Sequence, residues 1–182
     1  MKKALLEKKI GVILTDTIYG IVGLALDEEV VERVYRVKKR NPKKPLVILI
    51  SSIEDLKNIF EINLNSECVK ILKEFWPGTV SVVLACQKFP HLHRGTNSIA
   101  FRLPKKEELI TLIKEVGPIF ATSVNKEGFE PAKSIIEAKE YFKDELDFYI
   151  EGGEPLESPS MIVKLNNEKE LEVLRGRICL KK

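Results

Sequence analysis

The chain has 182 residues, of which 44% are hydrophobic and 31% are charged, and its formal net charge is only +3. This length and apolar content suffice for one globular domain with a sizeable core, without a disulfide or metal staple. A net charge of this size does not by itself indicate nucleic-acid binding. The continuous apolar runs, at 45–50 and 80–85, are far shorter than the roughly 20 residues of a membrane-spanning helix, so we expect no membrane association and a cytoplasmic location.

Three cysteines, Cys68, Cys86 and Cys179, are widely spaced and odd in number. This pattern fits neither a disulfide framework nor a paired-cysteine zinc site, so we expect reduced, buried and structural thiols. The first nine residues place charges on both sides of a short apolar patch and lack the long apolar stretch of a secretory signal. We expect a short helix there.

Short β-branched runs alternate along the chain with amphipathic segments. Strands are predicted at 10–14, 46–50, 80–85, 98–103, 119–122, 148–150 and 161–165. Between them, apolar residues fall on one helical face in three segments, at 30–37, 68–76 and 109–116. Interleaved strands and helices indicate an α/β domain, and strand connections that look like hairpins indicate a mixed sheet.

The densest basic feature is the segment 33–44, which holds seven Lys and Arg side chains and no acid. One interpretation is a solvated helix end, where cations meet the negative end of the helix dipole before Pro42 stops the helix. The other is a site for a triphosphate or an RNA backbone. Position favours the second, because the segment leads into an apolar strand and rigid elements can hold Lys38 and Arg40. We expect both side chains to be partly solvated.

Three further segments place polar side chains beside predicted strands. Leu-Thr-Asp-Thr-Ile-Tyr-Gly (14–20) follows one strand, Ala-Thr-Ser-Val-Asn (121–125) ends another, and Glu-Ser-Pro-Ser-Met-Ile-Val (157–163) leads into a third. Such residues commonly make turns and caps, but strand ends of open α/β sheets are also where ligands bind. Arg102 is a lone charge in an apolar strand. It is either an edge-strand residue with its head in water or the partner of an anionic ligand.

Together, the order and spacing of these segments resemble the YrdC family over nearly the whole chain. The matching pieces are Thr15-Asp16-Thr17-Ile18-Tyr19-Gly20, Lys38-Lys39-Arg40 with Lys44-Pro45-Leu46, Trp76-Pro77-Gly78, Arg102-Leu103-Pro104, Thr122-Ser123-Val124-Asn125, Ser160 with the strand after it, and Leu174-Arg175-Gly176. The resemblance implies a single YrdC-like catalytic domain over 1–182. Its fold would be an open, twisted, mixed α/β sheet with flanking helices around a large basic cavity.

The resemblance also implies roles for individual residues. A catalytic tetrad would consist of Lys38 and Arg40, which hold the ATP phosphates, and of Ser123 and Asn125, which position the nucleotide and a carbamate. The positions that match the family's contacts to threonine are Thr17, Arg102 and Ser160. The positions that match its contacts to ATP are Arg40, Lys44, Ser98, Ser123, Asn125 and Arg175. No residue is implied as a metal ligand.

By the same resemblance, the chain would be an L-threonylcarbamoyladenylate synthase. This nucleotidyltransferase makes threonylcarbamoyl-AMP and pyrophosphate from L-threonine, bicarbonate and ATP, with Mg²⁺ accompanying the ATP. The product serves the modification of a tRNA adenosine, so tRNA and separate threonylcarbamoyl transferase proteins would be partners. Lys, Arg, hydroxyl and amide groups suit such a reaction, which needs in-line positioning and charge neutralisation but no covalent nucleophile.

Some positions depart from the family's pattern. Arg175-Gly176 lacks the residue usually found between this Arg and Gly, and Leu49 stands where some relatives carry a substrate-contacting His. Two alternatives stay open: a non-catalytic module that binds double-stranded RNA or tRNA through its basic segment, and a YrdC paralogue that acts on another acceptor. His91 and His93 suggest a metal pair, but two histidines with no nearby Cys or acid are more typical of a surface turn.

Overall fold

The computed structural model describes residues 1–126, 128–166 and 170–176. In chain order these form α1 (Lys2–Leu6), β1 (Gly11–Leu14), β2 (Tyr19–Leu24), α2 (Glu28–Lys38), β3 (Val47–Leu49), α3 (Glu54–Asn58), α4 (Ser66–Phe75), β4 (Val80–Ala85), α5 (Pro90–His93), β5 (Ser98–Arg102), α6 (Glu107–Val116), β6 (Ile119–Ser123), α7 (Ile135–Phe142), a 3-10 helix (Lys143–Glu145), β7 (Phe148–Tyr149), β8 (Met161–Leu165) and β9 (Leu171–Arg175). The predicted α/β class and the short first helix are confirmed. None of the helices in these ranges is long and apolar enough to cross a membrane.

Within the described residues, nine strands form one open, twisted sheet in the order β7-β1-β2-β6-β3-β5-β4-β8-β9. The pairs β1/β7, β3/β5 and β4/β8 are parallel, and the other neighbours are antiparallel. β1/β2 and β8/β9 are hairpins of consecutive strands. The predicted mixed sheet with flanking helices is therefore confirmed.

The sequence prediction missed two of these strands, β2 and β9. β2 is buried along nearly its whole length and contains Gly20 and Gly23, so it shows neither an alternating pattern nor a continuous β-branched run. Gly23 is required by space, because a Cβ there would lie 2.7 Å from Phe120 Cζ and 2.8 Å from Val30 Cγ1. β9 pairs only with β8, at the edge of the sheet, and is mostly exposed, so its apolar signal is weak.

The two faces of the sheet are covered differently. One face packs on a large core shared with α2, α3, α4, α5 and α7. On the other face α1 and α6 cover part of the sheet, where Leu5 and Ile113 pack in a smaller core with Val22. Gly20 lies two residues before Val22 and pairs with Ser123, so both residues extend this second face beyond the helices. The second face is therefore left partly open beside Gly20 and Ser123.

The helix α2 carries the first half of the basic segment, residues 33–38. Its N-terminus is capped by the Asp27 carboxylate, which accepts the Val30 N–H at 3.2 Å. It ends at Lys38, because Lys39 adopts a left-handed conformation with φ of 50° and closes the helix with its own N–H. The prediction that Pro42 stops the helix is therefore wrong, since the left-handed residue ends the helical hydrogen bonding earlier.

The cysteines agree only in part with the prediction. Cys86 is buried and Cys68 is half-buried, and both are free thiols. Burial raises the pKa of the Cys86 thiol, which keeps it in the neutral form. Cys179 lies outside the described residues.

The two histidines lie in the short helix α5, and the predicted surface turn is wrong. His93 is buried, and its Nδ1 accepts the Gly95 N–H at 3.1 Å. His91 Nε2 lies 3.1 Å from the Ala25 carbonyl oxygen. Pro90 at the first position of α5 favours a helix there, and each ring then contacts a backbone group.

Candidate functional site

The open part of the second sheet face contains two adjoining cavities. The first has a volume of about 120 Å³, and its polar lining includes Thr17, Arg40, Arg102, Ser123, Ser160 and Arg175. The second, of about 170 Å³, shares Arg40 and Ser123 with the first and is also lined by Lys38, Lys44 and Asn125. We call these two cavities the basic cleft. The expectation of one large basic cavity is not confirmed.

The basic cleft is strongly positive. Its lining contains five cationic side chains and, among the described residues, no carboxylate: Lys38, Arg40, Lys44, Arg102 and Arg175. Partial burial and the nearby charge of Arg40 both lower the pKa of Arg175, which indicates that the guanidinium groups repel each other. An anion bound among them relieves this repulsion, so phosphate and carboxylate groups are the ligands that this lining favours.

Three members of the predicted tetrad form one hydrogen-bonded group. Lys38 Nζ donates to the Ser123 carbonyl oxygen and, at 3.4 Å, to Asn125 Oδ1. The Ser123 hydroxyl donates to the same Asn125 oxygen at 2.6 Å, and Asn125 Nδ2 donates to the Phe129 carbonyl at 2.7 Å. Lys38 is only 3% exposed, so the expectation of a partly solvated side chain is wrong for Lys38. Its ammonium group is buried because the end of β6 supplies its acceptors.

Arg40, the fourth member, lies just after α2 and lines both cavities. Its Nε donates to the Lys44 carbonyl at 3.2 Å, and its Nη2 donates to the Pro45 carbonyl at 2.9 Å. These acceptors are neutral, so they orient the guanidinium without neutralising its charge. Arg40 is half-buried, in agreement with the expectation of partial solvation.

The predicted threonine contacts lie together in the first cavity. Thr17 and Ser160 are each 4% exposed, and the Thr17 hydroxyl lies 3.1 Å from the Thr15 hydroxyl. The Ser160 hydroxyl accepts from Arg175 Nη2 at 3.1 Å and lies 3.1 Å from the Ser81 hydroxyl. Arg175 also donates to the Ser160 carbonyl at 2.7 Å, so β9 reaches the cleft despite the shortened Arg-Gly motif.

Arg102 is buried in the middle of the sheet. β5 lies between β3 and β4, so the edge-strand interpretation of Arg102 is wrong. Its Nη2 lies 2.9 Å from Asp16 Oδ1, and each of these side chains is 4% exposed. Burial lowers the pKa of Arg102 while the Asp16 charge raises it. Among the described residues, Arg102 Nε and Asp16 Oδ1 are the buried side-chain nitrogen and oxygen atoms that lack a hydrogen-bond partner.

This arrangement leaves Arg102 with one hydrogen-bond donor, Nε–H, that has no partner. Its Nε–H is a buried donor in a side chain that lines the first cavity, and an unsatisfied buried donor costs free energy. A carboxylate bound in the cavity would meet the Arg102 side chain, which lines it. Asp16 itself does not line the cavity and instead holds the guanidinium from behind, with its Oδ2 accepting the Lys105 N–H at 3.1 Å.

The structure brings all but one of the predicted site residues to the lining of the cleft. Ser98 is the exception, since it lines neither cavity. It lies two residues before Ala100 and four before Arg102, so it shares their sheet face, and its hydroxyl donates to Thr96 Oγ1 at 3.2 Å. The sequence analysis in turn assigned no role to Asp16. The sequence signal for a role of Asp16 was that Asp16 is the one acid in the polar segment 14–20, while Arg102 is the one base in an apolar strand.

The sequence model of the Sua5/YciO/YrdC family, described as telomere recombination, matches residues 3–176. The chain belongs to this family. A family member from Methanocaldococcus jannaschii is 30% identical over 185 residues, which cover 100% of this chain and 86% of that protein. The threonylcarbamoyl-AMP synthase of Pyrococcus abyssi is 33% identical over 151 residues, which cover 81% of this chain and 44% of the enzyme.

Another relative of known structure is P. abyssi Sua5, which has been crystallised in complex with L-threonine. It superposes on this chain with a TM-score of 0.86 at 30% identity, and the match covers 96% of this chain and 52% of that one. The chain therefore spans about half the length of the P. abyssi protein. The match covers nearly the whole chain, so the Sua5/YciO/YrdC fold is shared.

Proposed function

We propose that this chain is a threonylcarbamoyl-AMP synthase, a nucleotidyltransferase that uses L-threonine, bicarbonate and ATP. The proposal rests above all on one observation. Residues from six separate segments, predicted as contacts for threonine or for ATP, line one positively charged cleft. The name of the P. abyssi relative and its complex with L-threonine support the same activity.

The reaction has two steps that the cleft can serve by positioning. The amine of threonine attacks carbon dioxide derived from bicarbonate, forms a C–N bond and loses a proton, which gives a carbamate. A carbamate oxygen then attacks the α-phosphorus of ATP, and the bond to the β-phosphate bridging oxygen breaks. Pyrophosphate leaves with that electron pair, and threonylcarbamoyl-AMP remains. Both reactants are anions, so holding them in contact requires the positive lining.

The first cavity suits threonine. Arg102 lines it and offers its guanidinium to the amino-acid carboxylate, and charge-assisted hydrogen bonds of this kind are the stronger ones in proteins. The hydroxyls of Thr17 and Ser160 provide further polar contacts in the same cavity.

The second cavity suits the phosphates of ATP. Lys38, Arg40 and Lys44 line it together with Ser123 and Asn125, so charges and neutral donors surround the same space. Arg40 and Ser123 line both cavities, and the reacting carbamate and α-phosphate would meet beside them. Charge that develops on the transferred phosphoryl group is then stabilised by fixed cations.

Mg²⁺ would enter as the counter-ion of ATP. The five cations of the cleft repel a free metal ion, and among the described residues no group of three or more His, Cys, Asp and Glu side chains is arranged to hold one. The proposal also includes tRNA and separate threonylcarbamoyl transferases as downstream partners. It includes a cytoplasmic location, because the cytoplasm supplies ATP, bicarbonate and threonine.

The alternative of a non-catalytic RNA-binding module fits the geometry less well. Lys38, at the centre of the segment 33–44, is 3% exposed, so its charge cannot reach the phosphates of an RNA helix lying on the surface, although Arg36, Lys39, Lys43 and Lys44 are exposed. A paralogue with another acceptor keeps the same ATP cavity and differs in the ligand of the first cavity. Pyrophosphate release with and without threonine distinguishes threonine from another acceptor.

The test is pyrophosphate release from Mg-ATP, measured with threonine and bicarbonate present together and with each omitted in turn. The proposal expects release only with both, and much slower release when serine replaces threonine. Release that is indifferent to threonine would reject the threonine-specific activity. Tight RNA binding without any ATP consumption would favour the RNA-binding module instead.

A further inference from the structure

The loop 40–45, which carries Arg40 and Lys44 into the cleft, is held by side chains outside the cleft. The hydroxyl of Tyr35, on α2, donates to the Lys44 carbonyl at 2.8 Å. Arg94, which follows α5, donates from Nε to the Pro42 carbonyl at 3.0 Å. The loop contains two prolines and no regular secondary structure, so these bonds replace the hydrogen bonds that a helix or strand would supply.

Arg94 is itself fixed from several sides. Its guanidinium carbon lies 4.0 Å from the centroid of the Tyr35 ring, a favourable cation–π distance. Both terminal nitrogens of Arg94 donate to the Glu32 carboxylate, so the two side chains form a two-pronged ion pair. The Arg94 side chain is only 12% exposed. We call Glu32, Tyr35 and Arg94 the arginine brace.

The backbone of Arg94 is strained. Its φ of 53° lies in the left-handed region, which is unfavourable for a residue with a Cβ, and it is the residue that ends α5. Gly95, which follows directly, also has a positive φ, of 86°. The side-chain bonds to Glu32 and Pro42 offset the strain. Strain that the surroundings hold in place is typical of residues with a positional role.

We propose that the arginine brace positions the 40–45 loop so that Arg40 and Lys44 meet the phosphates of ATP. The inference rests on the proposed function, and it assigns Tyr35 and Arg94 as positioning residues. Both act on the backbone of the loop, and Arg40 binds that same backbone at the Lys44 and Pro45 carbonyls. A shift of the loop therefore moves the Arg40 guanidinium directly.

The brace should affect ATP more than threonine. The side chain that faces the amino-acid carboxylate, Arg102, is held by Asp16, and Ser160 is held by Arg175. Arg102 lies on β5 and Arg175 on β9, whereas Asp16 lies in the loop after β1 and Ser160 directly precedes β8, so none of them belongs to the brace or to the loop 40–45. A general loss of folding stability would weaken both ligands together, so the ratio of the two affinities distinguishes positioning from a merely structural role.

The cleanest variant is Tyr35→Phe, because it removes one hydroxyl and keeps the ring under Arg94. We expect the Kd for ATP, measured by titration calorimetry with Mg-ATP, to rise about fivefold, as for the loss of one neutral hydrogen bond. Arg94→Met removes a charge-assisted set of bonds and should raise it roughly tenfold or more. The Kd for L-threonine, measured separately, should rise less than the Kd for ATP in both variants, because Arg102 and Ser160 have their partners outside the loop, although Arg40 lines the first cavity as well.

A matched control is Arg33→Met. Arg33 lies on the same helix and forms a two-pronged ion pair with Asp147, and it also donates to the Glu145 carbonyl, far from the loop 40–45. It should lower the unfolding midpoint without changing the Kd for ATP. This control separates the effect of losing an ion pair on α2 from the effect of losing the arginine brace.

The outcomes separate the two proposals. Wild-type protein that binds neither ATP nor threonine rejects the proposed function, and this inference with it. Wild-type protein that binds both, with Tyr35→Phe and Arg94→Met binding ATP as tightly as wild type, overturns the inference alone. Equal losses for ATP and threonine in Arg94→Met, with the same pattern in Arg33→Met, also overturn it.

Discussion

The buried ion pair between Asp16 and Arg102 predicts a large loss of stability when either partner is removed. Each side chain is 4% exposed, and the charged atoms lie 2.9 Å apart. Removing one partner leaves the other charge buried and uncompensated, which costs about 3–5 kcal/mol, whereas replacing both by neutral groups is often close to neutral. A domain of this kind has a total free energy of unfolding of roughly 5–15 kcal/mol. Asp16→Asn should therefore shift the unfolding midpoint strongly.

Urea unfolding of Asp16→Asn, Arg102→Met and the double variant tests this reasoning. Each single change should cost about 3–5 kcal/mol, and the double variant should cost clearly less than their sum. Glu61→Gln is a control, because Glu61 and Lys88 form an exposed pair whose loss should cost about 1 kcal/mol or less. The reasoning is refuted if Asp16→Asn is no more destabilising than this control, or if the two single effects simply add.

Four further substitutions give three more predictions. Lys38→Ala and Arg40→Ala should both abolish adenylate formation. Only Lys38 of the two is buried, so Lys38→Ala should also lower the free energy of unfolding by about 2 kcal/mol. Equal urea midpoints for the two variants would contradict this difference. Gly23→Ala should cost about 1–3 kcal/mol by overpacking, measured by urea unfolding, because a Cβ there meets three core side chains below 3 Å. Burial raises the pKa of Asp147, but hydrogen bonds from Arg33 and the Ile10 N–H outweigh it and lower the pKa below its ordinary value. Because the folded pKa is depressed, the stabilisation exists above the unfolded pKa of about 4 and is lost as the pH falls through the folded pKa. Asp147→Asn should therefore be less stable than wild type at pH 7 and approach it at roughly pH 2, and a constant difference across unfolding curves from pH 2 to 7 would exclude the charge as the cause.

The parts of the fold that the sequence predicted are those with a strong local pattern. Strands rich in β-branched residues, such as β4 and β6, were found because a buried strand leaves a continuous apolar run. β2 was missed because its glycines serve close packing and interrupt that pattern. The end of α2 was misplaced because Lys39 adopts a left-handed conformation that its side chain does not signal. Local propensity could not predict either feature.

The candidate site divides in the same way. Its basic and hydroxyl residues could be listed from their motifs, and all of them except Ser98 line the cleft. Their supporting partners could not be listed, because those contacts join residues far apart in the sequence. Asp16 reaches Arg102 across 86 positions, and Arg94 reaches Glu32 across 62. The burial of Lys38 likewise depends on acceptors at the end of β6, which no helical pattern in α2 reveals.

The central claim is that the basic cleft joins a threonine-derived carbamate to the α-phosphate of ATP. The most direct measurement is mass spectrometry of the reaction mixture, with ¹³C-labelled bicarbonate, Mg-ATP and L-threonine, for wild type and for Arg40→Ala. The account predicts threonylcarbamoyl-AMP that carries the label with wild type, none with Arg40→Ala, and none when bicarbonate is depleted. A folded wild-type protein that binds ATP and threonine yet forms no labelled adenylate would contradict it.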